Sequence, residues 1–448
     1  MANALLLILL QQEQQLGRGK YMSRFEKIQQ ALDAISPVPA DLPKLYLLGD
    51  TGAGKTTIIR KILGTEESKF PTTRQTRTTI APTEYVIREG SDFDITVVLK
   101  PIAEVEGYID EILKDAITKF YKDRQKEKIV KNLRQTSDQR FRLYYLISNE
   151  FAEEIAERII ALSPCVDQKV EVYQDDFPED QEETGIFVEF ALNELGDDYA
   201  SICDDILEEV QRRAEIACNG ERFDSTWKVY KHVGENELEF VAKCKEILSS
   251  EVNSISPLIE YARIRGNLKA AWLAPDTEAV IIDGEGIGHN TKEAGQLSSR
   301  HYDYFYRADA ILLIEESKKP FVAGGRSALK SIFERGYKDK LLVLFTKLDE
   351  VEPYDADDPT NQDRIEEVMD GLLNVISSLR DDRIEIELPE NGIFYLGGLK
   401  ENGIDSDAIS QINSVLSCAK SLSIFKRDFI RPVYDFVWFL DRIYQKIQ

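Results

Sequence analysis

Residues 44–63 constrain this chain more than any other stretch of it. Lys44-Leu45-Tyr46-Leu47-Leu48 is a short apolar run, and Gly49-Asp50-Thr51-Gly52-Ala53-Gly54-Lys55-Thr56-Thr57 follows at once. Ile58, Ile59, Ile62 and Leu63 then recur at helical spacing. The order is strand, glycine-rich turn, helix. Its central string fits G-x-x-x-x-G-K-[ST], in which small residues let successive backbone N–H groups wrap a phosphate chain while the new helix turns its positive end toward it. Residues 49–57 therefore line the expected phosphate site. Lys55 is placed to reach the outer phosphates as a catalytic charge, and the Thr56 hydroxyl to hold Mg²⁺.

Phosphate binding does not choose a base, so the next signal matters. Leu341-Leu342-Val343-Leu344-Phe345 is a fully apolar run that ends in Thr346-Lys347-Leu348-Asp349. A carboxylate at Asp349 accepts from both the ring N1–H and the exocyclic amine of guanine. Adenine would turn a lone pair toward it, a mismatch worth roughly a few kcal/mol. Lys347 lays its methylene stem along the base, and Thr346 ties this loop to the phosphate loop. Between the two motifs, Ala279-Val280-Ile281-Ile282 runs into Asp283-Gly284-Glu285-Gly286. That D-x-x-G spacing suits a carboxylate holding Mg²⁺ through water, with the Gly286 N–H turning toward the terminal phosphate so that the segment after it senses hydrolysis.

Phosphate loop, D-x-x-G and T-K-x-D, in that order, resemble the GTPase superfamily of P-loop proteins. The chain is similar to translation-factor-class GTPases, and IIDGEGIGH is similar to the corresponding stretch of large dynamin-like and guanylate-binding GTPases. The resemblance covers roughly half the chain. It implies GTP and GDP with Mg²⁺ as ligands, and a further Mg²⁺-capping threonine in the first switch, Phe70 to Ile80. Thr79, which precedes the expected strand Glu84 to Arg88, is the first choice there, with Thr78 and Thr76 behind it. The resemblance also exposes two departures. Where Ras-like members place a water-orienting glutamine after D-x-x-G, this chain has Ile287, which has no polar group to do so. His289 positions the water or is structural; both readings stay open. Backbone, a switch residue or a second protomer are the other routes, with Arg74 and Arg77 as charge stabilisers or merely solvated. After the apolar run Ile393-Phe394-Tyr395-Leu396, where relatives often carry S-A-K, stands Gly397-Gly398-Leu399, so the Gly397 backbone N–H is the expected contact to the base.

The stretch from Thr79 to Asp283 is far longer than a minimal GTPase needs. Ile109, Ile112, Leu113, Ile117 and Phe120 form a helical stripe, as do Ile155 with Ile159, and Tyr199, Ile202, Ile206, Leu207 and Val210. The expected fold is α/β, a mostly parallel sheet flanked by helices, with a large helical insertion and helical termini. Its parts are an N-terminal helical segment (1–36), a first nucleotide-domain part (37–100), the insertion (101–256), a second nucleotide-domain part (257–404) and C-terminal helices (405–448). Within it, Glu84–Arg88 and Asp94–Leu99 read as a hairpin around Glu89-Gly90-Ser91-Asp92. Leu258–Arg265 alternates and reads as an edge strand, antiparallel to the strand ending at Asp283. Asp175–Glu183 reads as a solvated acidic loop. The aromatic group Tyr302, Tyr304, Phe305 and Tyr306 reads as core in preference to a partner surface.

Composition bounds the partners. With 80 Asp plus Glu against 56 Lys plus Arg, a net charge of −24 repels nucleic acid and anionic lipid at long range, so generic nucleic-acid binding is not expected. Five scattered cysteines without a C-x-x-C pair, beside three histidines, read as reduced thiols of a cytoplasmic protein. Residues 4–10, ALLLILL, are too short for a bilayer span, which needs ~20 apolar residues. They dock on the protein itself or a second copy, the favoured reading, or touch a membrane surface. The remaining partner expectations are a nucleotide-dependent homodimer and an unidentified protein held by the insertion.

Overall fold

The computed structural model describes residues 22–65, 67–71, 81–89, 92–134, 141–173, 184–222, 228–249, 254–284, 286–287, 297–353, 358–381, 386–389, 391–399 and 403–424. In chain order, the first helix is α1 (Arg24–Ile35), closed at its start by a capping box in which Ser23 and Glu26 bond each other's backbone N–H. Then come β1 (Lys44–Gly49), α2 (Lys55–Leu63), β2 (Thr83–Ile87) and β3 (Asp94–Leu99). A helical stretch follows: α3 (Ile102–Asp123), α4 (Lys126–Arg134), α5 (Asn149–Tyr173), α6 (Thr184–Leu195) and α7 (Asp197–Ala217). The chain continues through β4 (Val229–Val233), α8 (Glu237–Leu248), β5 (Ile259–Gly266), β6 (Ala279–Asp283), α9 (Ser299–Arg307), β7 (Ala310–Glu316) and α10 (Ala323–Glu334). It closes with β8 (Leu341–Thr346), α11 (Asn361–Asp381), β9 (Ile393–Leu396) and a helix over 406–424, α12.

The strands form one sheet in the order β4-β3-β5-β2-β6-β1-β7-β8-β9. From β6 to β9 every pairing is parallel, and β2 joins β6 antiparallel. The fold is α/β with a mixed sheet. Strands β1, β6, β7 and β8 are apolar along almost their whole length because helices cover both faces of a parallel sheet, leaving no face for water.

Two expectations are corrected. Strands β2 and β3 are not a hairpin, because β5 lies between them; and β5 is therefore neither an edge strand nor a neighbour of β6. The alternation that suggested an edge comes from Glu260, Arg263 and Arg265, of which Glu260 and Arg263 are buried. Charges set into a sheet need partners, and β5 finds them on both sides. Arg263 Nε donates to Glu84 on β2 at 2.8 Å and its Nη1 to Asp33 on α1 at 2.7 Å. Arg265 Nε donates to Asp94 on β3 at 2.6 Å.

The chain divides into two compact units. One holds the described residues of Thr96–His232 and Ala242–Ala262, the other those of Tyr21–Ile95, Val233–Val241 and Arg263–Gln448. In the first, the stripe Val105, Ile109, Ile112, Leu113, Ala116, Ile117 and Phe120 is the buried face of α3, as its spacing dictates. Tyr108 stacks on Phe141 at 4.9 Å, and the Tyr199 hydroxyl donates to Asp110 at 2.8 Å. In the second, the aromatic group of α9 is split. Tyr304 and Phe305 are core, whereas Tyr306 is 77% exposed and Tyr302 lies under the Arg335 guanidinium. The sequence places these residues in the core as a group, but helical periodicity leaves room for only one face there. No helix among the described residues is long and apolar enough to cross a membrane.

Candidate functional site

The site forms where parallel strands end. Register sets Leu47 beside Asp283, Gly49 beside Ile314, Glu316 beside Thr346 and Thr346 beside Leu396. The phosphate loop, the D-x-x-G turn, the end of β7, the T-K-x-D loop and Gly397 thus leave the sheet at one edge, the carboxyl edge on which α/β sheets bind ligands. All belong to the second unit.

Loop 49–57 turns sharply from β1 into α2. Gly52 and Gly54 have φ of 91° and 97°, a left-handed conformation that a side chain would strain, and Gly54 is the N-cap of α2. The Lys55 ammonium curls back to donate to the carbonyls of Gly49 at 2.7 Å and Asp50 at 3.0 Å. Burial pushes its pKa below the ordinary lysine range, while the carboxylates of Asp283, Asp50 and Glu315 pull the other way. Ala53 and Lys55 are buried, Asp50, Gly54, Thr56 and Thr57 are half-buried, and Thr51 and Gly52 are exposed at the tip.

Thr346 joins loop 49–57 to the T-K-x-D loop. Its hydroxyl lies 2.9 Å from the Ala53 carbonyl and 3.2 Å from the Glu315 carbonyl. Lys347 takes a left-handed φ of 58°, and its ammonium pairs with the Glu316 carboxylate. Asp349 is exposed in a short 3-10 turn, Leu348–Glu350. A Cβ added to Gly397 would lie 3.1 Å from the Asp349 nitrogen, so the T-K-x-D loop and the loop after β9 are in contact.

At the end of β6, Asp283 is buried. The backbone then zips onto the phosphate loop: the Ile287 N–H donates to the Gly49 carbonyl at 3.2 Å, and Asp50 and Ile287 form a parallel bridge. Gly286 and Ile287 are both buried. Ile287 is therefore part of the packing under the loop, which is why an apolar residue suits the position. Thr79, Thr78, Thr76, Arg74, Arg77 and His289 lie outside the described residues, as do residues 4–10, the acidic loop 175–183 and the apolar segment Phe429–Ile443.

A carboxylate and a hydroxyl, Asp283 and Thr56, are hard oxygen donors of the kind Mg²⁺ takes. Mg²⁺ keeps several waters and binds through few protein groups plus substrate phosphates, so the small donor set fits it. Among the described residues, no group of three or more His, Cys, Asp or Glu is arranged to cage a metal.

Two residues of the site carry no motif. Glu315 and Glu316 end β7 beside the phosphate loop, and α10 begins close by. Phe321 N–H donates to Glu315 Oε2 at 2.9 Å. A Cβ on Gly324 would overlap the Asp50 carboxylate, and one on Gly325 the Glu315 carboxylate, so both acids pack on bare backbone at the start of α10. Burial, opposed by Lys55 and reinforced by Glu316, raises the Asp50 pKa. The only sequence signal was a pair of acids closing an otherwise apolar run.

No family model matches the chain, and no curated protein matches it. Among solved structures it is similar to two chains of an oligomerised bacterial dynamin pair, described as a mechanism for long-range sensing and tethering of membranes. One is 10% identical with a TM-score of 0.37, covering 100% of this chain and 50% of that one. The other is 12% identical with a TM-score of 0.34, covering 94% and 49%. The chain spans about half the length of these structures. Neither supports the translation-factor class expected from motif order.

Proposed function

We propose that this chain binds GTP and hydrolyses it to GDP and phosphate with Mg²⁺. The observation that carries the reading is Thr346, whose hydroxyl bonds the phosphate loop at Ala53 while its own loop presents Asp349 against Gly397. That arrangement supports reading loop 49–57 as a triphosphate cradle and Asp349 as a guanine-selective carboxylate held at a fixed distance from it. Residues 49–57 hold the phosphates, with Lys55 stabilising charge at the transferred group. Thr56, Asp283 through water, and Thr79 hold the metal, which when bound neutralises the phosphate oxygens. Gly286 N–H faces the terminal phosphate, and Thr346, Lys347, Asp349 and Gly397 hold the base.

With Ile287 packed beneath the loop, the attacking water is oriented by another group. His289, a residue of the first switch, or a second copy docked on the nucleotide face supplies it. The insertion couples nucleotide state to a partner or to self-assembly, and membrane contact through residues 4–10 is the subordinate reading.

Single-turnover phosphate release tests the enzyme claim: wild type should exceed Lys55→Ala by orders of magnitude, and equal release would refute it. Competition tests the base. Unlabelled GTP should displace labelled GTP while ATP does not, and Asp349→Asn should lose that preference; ATP competing as well as GTP sinks the guanine assignment.

A further inference from the structure

We propose that nucleotide binding by this chain is coupled to uptake of a proton on Glu315, so that affinity for guanine nucleotides falls as the medium becomes alkaline. The proposal rests on the guanine-nucleotide reading of the site.

Glu315 sits one residue beyond Ile314, which pairs with Gly49 of the phosphate loop. It is 4% exposed. One carboxylate oxygen accepts the Phe321 N–H at 2.9 Å, while Oε1 has no hydrogen-bond partner among the described residues. An ionised carboxylate needs all its lone pairs served when water is excluded; a protonated one places its O–H on the unserved side at far lower cost.

The surroundings favour the proton. Gly324 and Gly325, consecutive at the start of α10, receive the carboxylates of Asp50 and Glu315 respectively, each in the space that a Cβ would fill. Glu316 adds a third acid from β7, itself paired with Lys347 of the T-K-x-D loop. Against these stand Lys55 from α2, whose ammonium donates to the Gly49 and Asp50 carbonyls, and the Phe321 N–H. Burial first, then Asp50 and Glu316, pushes Glu315 up to about 8.

A nucleotide adds phosphate charge to the loop that Gly49 opens. Each negative charge brought near a buried carboxyl raises its hold on a proton. The complex therefore carries more protons than the free protein near and above pH 8, and linkage makes affinity fall with rising pH, by at most about tenfold per pH unit. Loop, acid pair and bound nucleotide act as one electrostatic unit.

The test uses the full chain. Dissociation constants for GTP and GDP are measured from about pH 6.5 to about pH 9 for wild type and Glu315→Gln, whose amide keeps the shape without the titration. The ratio of the two cancels the titration of the nucleotide itself. Wild type should weaken relative to the variant by several-fold to about tenfold across this range, and parallel profiles would overturn the proposal. Calorimetry of wild type alone, in two buffers of different ionisation enthalpy near pH 8, should show net proton uptake after correction for the free nucleotide. No uptake overturns the proposal even if the variant misfolds. GTP binding equal in wild type and Lys55→Ala, or absent at every pH, would refute the nucleotide reading itself and the linkage with it.

Discussion

Thr346 shows how much one hydroxyl can carry. Its Oγ1 lies within hydrogen-bond range of the carbonyls of Ala53 and Glu315, tying loop 49–57 to the T-K-x-D loop in a buried place. Thr346→Val keeps the shape and removes the donor, whose single proton is best placed on the nearer Ala53 carbonyl, so that buried acceptor loses its side-chain partner. The expected loss is about 1–3 kcal/mol in chemical denaturation, with weaker binding of both GTP and GDP in titration. Glu315 gives a second prediction. Its proton is held in the folded protein to about pH 8 but only to its ordinary 4.5 when unfolded. Below 4.5 both states carry it; between 4.5 and about 8 only the folded one does, so stability falls as pH rises through that window and levels off above it. Denaturation midpoints measured across the window should decline more steeply for wild type than for Glu315→Gln. The turn at 49–57 was legible in the sequence because its shape is made by glycine backbone turns and one adjacent lysine, all within nine positions. Glu315 was not, since nothing local says that a strand end will be covered by a helix that starts in Gly324-Gly325 and leaves one carboxylate oxygen unserved.

At the scale of elements, β5 carries the lesson. Its residues alternate as an edge strand would, yet Arg263 is fully buried and bonds Glu84, Asp33, Gln29 and the Ser36 carbonyl. Glu84 is shared with Arg307 of α9 at 2.8 Å, so one buried carboxylate links β2, β5 and the helix that follows the D-x-x-G segment. Arg263→Ala removes the partner of several buried polar groups at once. We expect a loss of about 3–5 kcal/mol, read as a large drop in melting temperature. Arg263→Met should lose less than Arg263→Ala, because it refills the buried volume while Glu84 keeps Arg307 as its partner; a methionine variant no better than the alanine one would contradict that account. Strand existence was readable for β1, β3, β6, β7, β8 and β9, where apolar runs are bounded by turns. Neighbour choice was not. The short polar stretch between β2 and β3 looked like a hairpin turn, but pairing is settled by whichever strand can satisfy the charges on each side, and Arg263 and Arg265 answer Glu84 and Asp94.

For the whole molecule, the proposed ligand is also a stability term. A nucleotide that binds only the folded chain stabilises it by mass action, about 2.7 kcal/mol at a hundredfold excess over the dissociation constant. The melting temperature should therefore rise with GTP and Mg²⁺ and fall back when the metal is chelated, since Mg²⁺ binds through few protein groups and mainly through substrate phosphates. An identical melting temperature in all three conditions would count against nucleotide and metal together. The acidic surplus that weighs against polyanions does not oppose this, because Lys55 and Lys347 are gathered at one sheet edge with only the end of β7 between the strands they follow. What the sequence by itself determined was the glycine-rich turn from β1 into α2, the T-K-x-D string at the end of β8, the D-x-x-G string at the end of β6, their order, and a helical stretch after β3. Each is written in neighbouring residues, where spacing alone sets backbone direction. Tertiary structure alone decided that β5 lies between β3 and β2, that Ile287 is packing, and that Glu315 and Asp50 share the start of α10. Those outcomes depend on which buried charges find partners across long stretches of chain, and local pattern holds no record of that choice.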